Sequence, residues 1–134
     1  MEKTLVLIKP DGVSRGLVGE IIRRYEAHML HISEMQLVQP TAEMLCAHYI
    51  EHVDKDFFCE LVEYMSSGPV IALVLCGESA ISLVRKINGS TNFMSAELGS
   101  IRGDFASSIT QNLVHASDSQ SGFEREYDIW FKSL

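Results

Sequence analysis

The stretch Val70-Ile71-Ala72-Leu73-Val74-Leu75 carries no polar side chain on either of its alternating faces. Successive residues of a strand point to opposite sides of the sheet, so a segment apolar on both reads as a central strand of a layered α/β chain. Gly68-Pro69 precedes it and stops whatever helix comes before, because proline has no N–H to continue one. Glu78 to Ile87 reads as the helix that follows the strand, and Asn88-Gly89 ends it.

The other segments arrange themselves around this strand. Thr4 to Lys9 is a β-branched and aliphatic run, and Pro10-Asp11-Gly12 suits a loop after it. Between Leu17 and Met29 the residues Val18, Ile21, Ile22, Tyr25 and Met29 recur at helical spacing. Ile32 to Val38 fits a second strand, ending before Pro40. Thr41 stands where it caps a helix reaching about Ile50, and Phe57 to Met65 continues helical.

Ser90 to Thr110 lacks strong periodicity and holds Gly99 and Gly103, which predicts a long functional loop. Asn112 to Ala116 reads as a last short strand. Ser121-Gly122-Phe123-Glu124 has capping-box spacing, with Ser121 as N-cap, ahead of an amphipathic helix carrying Tyr127, Trp130 and Phe131. The resulting order leaves open a doubly wound sheet and a ferredoxin-like split βαβ arrangement. No repeat or linker interrupts it, so residues 1–134 are expected to form one domain.

Composition excludes several classes of function. With 46% hydrophobic and 22% charged residues spread along the chain, it has the apolar content to fold. A net charge of −7 argues against a general nucleic-acid surface, which needs clustered Lys and Arg. The longest apolar run, Val70 to Cys76, is far short of the roughly 20 residues of a spanning helix, and no basic-then-apolar leader precedes Leu5. No membrane association and a cytoplasmic location are expected. Cys46, Cys59 and Cys76 stand apart from one another, unlike a disulfide framework or a cysteine zinc site.

No P-loop and no Gly-x-Gly-x-x-Gly fingerprint occurs, so any phosphate site must use side chains. Several segments in order resemble the nucleoside diphosphate kinase family: 4–12 (Thr-Leu-Val-Leu-Ile-Lys-Pro-Asp-Gly), 15–21 (Arg-Gly-Leu-Val-Gly-Glu-Ile), Ser67-Gly68-Pro69-Val70, Ile101-Arg102-Gly103-Asp104-Phe105 and 112–119 (Asn-Leu-Val-His-Ala-Ser-Asp-Ser). The last is similar to the family's active-site signature. The resemblance implies a ferredoxin-like antiparallel core and a ping-pong exchange between nucleoside triphosphates and diphosphates, ribo- and deoxyribo-, with Mg²⁺ arriving on the nucleotide phosphates. No protein metal site is expected. A homo-oligomer is implied, a hexamer first and a tetramer or dimer otherwise, although the chain stops soon after Trp130-Phe131 without the extension some hexameric members use.

Residue by residue, His115 matches the phosphorylated histidine, and neutral imidazole is a good lone-pair donor near neutral pH. Glu126 matches the glutamate that orients that ring, with Ser117 holding the carboxylate. Lys9, Arg85, Arg102 and Thr91 match phosphate-binding positions, and Tyr49 matches the tyrosine near the transferred phosphate. A cation about 4 Å from a phosphate charge contributes roughly 4 kcal/mol at an effective dielectric near 20, before desolvation, so a few suffice on an acidic protein. Phe57 matches the base-stacking residue, Ile109 covers the other face of the base, and Leu61 lines the same cleft. Asn112, with Lys9, matches the contacts to sugar hydroxyls.

The chain departs from the family pattern at Phe93 and Leu98, where prolines are common, and at Ala106 and Ala116, where glycines are. The former put loop rigidity and subunit contacts in question, and an added Cβ penalises any positive-φ backbone at the latter. Two rival readings remain. His48-Tyr49-Ile50-Glu51-His52 fits His-x-x-Glu-His, a zinc-peptidase pattern, and the same pocket residues can serve nucleotide recognition without turnover. Arg102-Gly103-Asp104 also spells an adhesion tripeptide, assigned here to the phosphate-site loop.

Overall fold

The computed structural model describes residues 1–132; the last two positions of the expected domain lie outside the described residues. Strand β1 (Glu2–Ile8) is followed by a short helix α1 (Pro10–Ser14) and by α2 (Val18–Ala27). Strand β2 (His31–Val38), α3 (Ala42–His48), a 3-10 turn (Ile50–His52) and α4 (Phe58–Met65) come next. Then follow β3 (Val70–Gly77), α5 (Ala80–Asn88), α6 (Ile101–Phe105), β4 (Val114–Ala116) and α7 (Gln120–Tyr127), with a π-helical turn (Asp128–Lys132).

The sheet has four strands in the order β2-β3-β1-β4, and every neighbouring pair is antiparallel. This is the ferredoxin-like split βαβ arrangement, and it excludes the doubly wound alternative. Leu5 lies opposite Val74 and Leu7 opposite Ala72, so the two central strands share one register of inward residues. Val6, Ile8, Leu73 and Leu75 pack on one face with Ile21, Tyr25, Val84 and Ile87 of α2 and α5. Leu5, Leu7, Ala72 and Val74 pack on the other with Met44, Leu45, Met65, Phe123 and Trp130. Cover on both faces is the reason β3 carries no polar alternation.

Several local expectations need correction. Pro10-Asp11-Gly12 opens α1 instead of a loop, because proline at a first helical position gives up an N–H that has no helical partner anyway. Gly12 is required there by contact, since a Cβ would lie 2.8 Å from Ile8 Cγ2. Ser119, not Ser121, caps α7, its hydroxyl accepting from Gly122 N at 3.0 Å. The helix then gives way at Asp128 to the π-helical turn that carries Trp130. The expected long loop contains α6, which Ser100 caps by accepting from Gly103 N. Thr41 caps α3 as expected, but α3 ends at His48.

No helix among the described residues is long and apolar enough to cross a membrane. Strand β2 is a sheet edge, and Met35 and Leu37 on it are exposed.

Candidate active site

The short strand β4 sorts its residues by face. Val114 and Ala116 enter the core, so His115 between them points the other way, into a broad cleft of about 1710 Å³. Just before the strand, Leu113 is buried with φ at 79°, a left-handed backbone conformation that few side chains adopt. Its carbonyl accepts from Lys9 N at 2.8 Å and ties the end of β1 to the start of β4.

His115 Nε2 donates to Glu126 Oε2 at 3.0 Å. The other carboxylate oxygen accepts from Ser117 Oγ at 2.7 Å, and that hydroxyl accepts in turn from Leu5 N at 3.3 Å. Burial works against the charge of Glu126, yet the His115 hydrogen bond and charge, with Ser117 and Arg125, hold its pKa below the usual glutamate value. An ionised Glu126 accepts only, so the His115 proton on that side belongs to Nε2, and in the neutral ring Nδ1 carries the lone pair.

Around this histidine the cleft is cationic. Lys9 Nζ donates to Asn112 Oδ1 at 2.9 Å, and both groups are buried. Burial brings the Lys9 pKa down to about 8, the Arg102 charge pushes the same way, and Asp11 opposes. Arg102 bridges two segments, donating to Gly89 O at 2.9 Å and Val114 O at 2.5 Å, with Nε unpartnered among the described residues. Burial lowers its pKa as well. Arg85 donates to Ala116 O at 3.2 Å.

A row of rings leads away from His115. His48 lies edge-on to it with centroids 4.5 Å apart, Tyr49 is 4.6 Å from His48, and His52 sits between Tyr49 at 6.3 Å and Phe57 at 5.5 Å. The Tyr49 hydroxyl is buried without a hydrogen-bond partner among the described residues, and burial, then the Glu126 charge, raises its pKa. His48 was visible in the sequence only as part of the zinc pattern. The structure breaks that pattern, because α3 ends at His48 and His52 falls on the 3-10 turn, off any shared helical face.

Among the described residues one group offers three metal-type donors, His48, His115 and Glu126, with donor atoms within 4.8 Å of one another. The atoms of this group that face one another, His48 Nδ1, His115 Nε2 and Glu126 Oε2, are already paired. Trp130 Nε1 donates to His48 Nδ1 at 3.0 Å, and Glu126 accepts from His115.

A family model described as "Nucleoside diphosphate kinase" matches residues 2–134. The chain belongs to the nucleoside diphosphate kinase family. The nucleoside diphosphate kinase of Caldanaerobacter subterraneus subsp. tengcongensis is 55% identical over 134 residues, covering 100% of this chain and 96% of that one. That of Archaeoglobus fulgidus is 50% identical over 131 residues, 98% and 87% of the two chains. Among solved structures, the apo Encephalitozoon cuniculi enzyme superposes with a TM-score of 0.96 at 40% identity, covering 98% of this chain and 89% of that one. A halophilic one from Halobacterium salinarum, in complex with CDP, gives 0.94 at 41%, covering 97% and 87%. Phosphoryl transfer between nucleotides follows from membership of the family.

Of the residues expected to serve a nucleoside diphosphate kinase, Lys9, Tyr49, Arg85, Thr91, Arg102, Asn112, His115 and Glu126 line one cleft. Thr91 contributes its carbonyl at 3.5 Å to the Asn112 amide, which also donates to Ile109 O at 2.9 Å. Ser117 lies behind Glu126, fully buried. Phe57 and Ile109 are 48% and 60% exposed and stand outside the cleft wall, and Leu61 packs toward the second core. Ala106 has φ at −77°, and Ala116 is not among the positive-φ residues, so neither departure strains the backbone. Leu98 is exposed, and its neighbour Gly99 is held from both sides, its carbonyl by Arg24 at 3.2 Å and its N–H by Asp104 at 2.7 Å.

Proposed function

We propose that His115 takes the γ-phosphate of a nucleoside triphosphate, typically ATP, on Nδ1 and returns it to a nucleoside diphosphate in a ping-pong cycle. The observation that carries this reading is the 3.0 Å hydrogen bond from His115 Nε2 to Glu126 Oε2, which leaves the Nδ1 lone pair as the nucleophile. As the phosphoryl group is transferred, the His115 ring becomes cationic, and the ionised Glu126 stabilises that charge in the manner of a buried orienting carboxylate.

Lys9, Arg85 and Arg102 counter the phosphate charge, Thr91 and Tyr49 donate to phosphate oxygens, and Asn112 with Lys9 aligns the sugar. The base stacks between Phe57 and Ile109, with Leu61 lining the same cleft, outside its polar part. A π-face is common to all bases, which supports broad use of ribo- and deoxyribonucleotides. Mg²⁺ enters as part of the substrate, bound to its phosphates, which supply the oxygen ligands that magnesium prefers.

The whole chain, 1–134, acts as one such domain in the cytoplasm, as a homo-oligomer, hexameric first. The exposed Met35 and Leu37 on the open β2 edge support self-association. Purified protein mixed with γ-labelled ATP and Mg²⁺ is expected to give an acid-labile phosphoprotein that passes label to GDP. Nucleotide binding without label would instead favour a recognition module, and light scattering reads the subunit number.

A further inference from the structure

Trp130 is buried in the second core and takes no part in the cleft wall, yet its one polar atom is committed to the active site. The indole Nε1–H donates to His48 Nδ1 at 3.0 Å. An indole N–H only donates, so His48 Nδ1 carries a lone pair and the proton of the neutral ring sits on Nε2. Burial keeps that ring neutral, with its pKa well below the ordinary histidine value, and the charges of His115, Arg125, Lys9 and His52 act in the same direction.

The consequence falls on Glu126. Its Oε2 accepts from His115 Nε2 at 3.0 Å and lies 4.0 Å from His48 Nδ1. With the His48 proton on Nδ1, two imidazole N–H groups would face a single carboxylate oxygen. A shift of about 1 Å would then bring the second within hydrogen-bond range and hand the carboxylate to the wrong ring. His115, deprived of its partner, would be free to carry its proton on Nδ1, where no lone pair is left for phosphate. The two rings already touch edge-on at 4.5 Å, so nothing stands between them to prevent the exchange.

We propose that Trp130 is a positioning residue for phosphoryl transfer: by fixing the His48 tautomer it reserves Glu126 for His115 and keeps the His115 lone pair on Nδ1. This rests on the reading of His115 as the phosphate carrier. Trp130 acts entirely through His48, and its packing role in the second core is separate.

The first test needs no variant. Proton–nitrogen correlation spectra of the imidazoles in the unliganded wild-type protein are expected to show both His48 and His115 as Nε2–H tautomers, with His48 Nδ1 coupled to the Trp130 indole N–H. A His48 proton on Nδ1 overturns the proposal. Trp130→Phe is expected to move His48 toward the Nδ1–H form. Single-turnover phosphorylation by MgATP should slow by about ten- to a hundredfold, the scale of losing an orienting partner, with nucleotide Kd little changed.

In a His48→Phe background, which has no ring nitrogen to compete for Glu126, the same Trp130 substitution should slow the step less than about threefold. Equal slowing in both backgrounds would assign Trp130 to packing alone and overturn the proposal. Failure of the wild-type protein to form phosphohistidine removes the reading beneath it, whereas phosphohistidine beside an Nδ1–H His48 removes only this inference.

Discussion

Lys9 and Asn112, 103 positions apart in the chain, are joined by a 2.9 Å hydrogen bond from the ammonium to the side-chain carbonyl, and both are buried in the wall facing His115. Lys9, the proposed phosphate-binding cation, is therefore held in a place that disfavours its charge. Its pKa of about 8 puts its titration at the edge of the working range.

From this the kcat/KM profile should fall above about pH 8 as free-enzyme Lys9 loses its proton, while kcat falls later because bound phosphate holds the proton on. Stability moves oppositely. Between about 8 and 10.5 the unfolded chain binds the proton that folded Lys9 has lost, so this residue's contribution rises with pH, by on the order of 3 kcal/mol across the window. Denaturant midpoints of wild type and Lys9→Met across that window check this; a Lys9→Met slope as steep as wild type would remove Lys9 as the cause.

Glu126→Gln keeps the shape of the carboxylate and removes its charge. Glu126 accepts from both His115 and Ser117, and an amide, with only one accepting atom and no charge, no longer holds the His115 proton on Nε2 as a carboxylate does. Phosphoenzyme formation is expected to slow by about 10²-fold or more, with nucleotide Kd within a few-fold of wild type. Stopped-flow single turnovers separate the two. Glu126 also bears on acid stability: with its folded pKa below 4.5, its contribution is present above that value and disappears as pH falls through the folded pKa.

Much of this site was legible because its residues fall in contiguous segments. Residues 112–119 contain Asn112, His115 and Ser117, and Lys9 directly follows the first strand. What the sequence could not tell was which His115 nitrogen meets Glu126, since that depends on how α7 lies against β4. His48 went without a role for a related reason. Its local pattern offered only a rival zinc reading, while its hydrogen-bond partner, Trp130, lies 82 residues away on a π-helical turn that no periodicity announces. Helix α6 escaped notice because five residues including a glycine give too little pattern to register.

Phe57 is 48% exposed and stands at the N-terminal boundary of α4, so truncating it should leave the fold intact. Phe57→Ala is expected to weaken nucleotide binding by about 1–3 kcal/mol, the range for one base on one aromatic ring, with kcat changed far less. Equal loss for purine and pyrimidine nucleotides is expected from a stacking face. Titration with ADP and CDP checks both statements, and an unchanged Kd for each would move the base site elsewhere.

Gly103 follows Arg102 on α6, and a Cβ built there would lie 1.9 Å from Glu97 O, a backbone atom that cannot swing aside. The clash falls where Ser100 caps α6 and where Asp104 holds Gly99 N at 2.7 Å, so Gly103→Ala must displace the segment that positions Arg102. Arg102 then gives up its hydrogen bonds to Gly89 and Val114, leaving two carbonyls without their donor. The expected outcome is destabilisation by about 2–4 kcal/mol, from the clash and the lost hydrogen bonds together. Nucleotide KM should also rise, because Arg102 no longer meets the phosphates. Gly89→Ala offers a matched comparison: its φ of 85° and a Cβ only 2.3 Å from Ser100 Oγ predict a similar loss by a different route. Thermal unfolding with and without nucleotide distinguishes the consequences: a Gly103→Ala protein that keeps wild-type KM while losing stability would show that Arg102 is placed independently of α6.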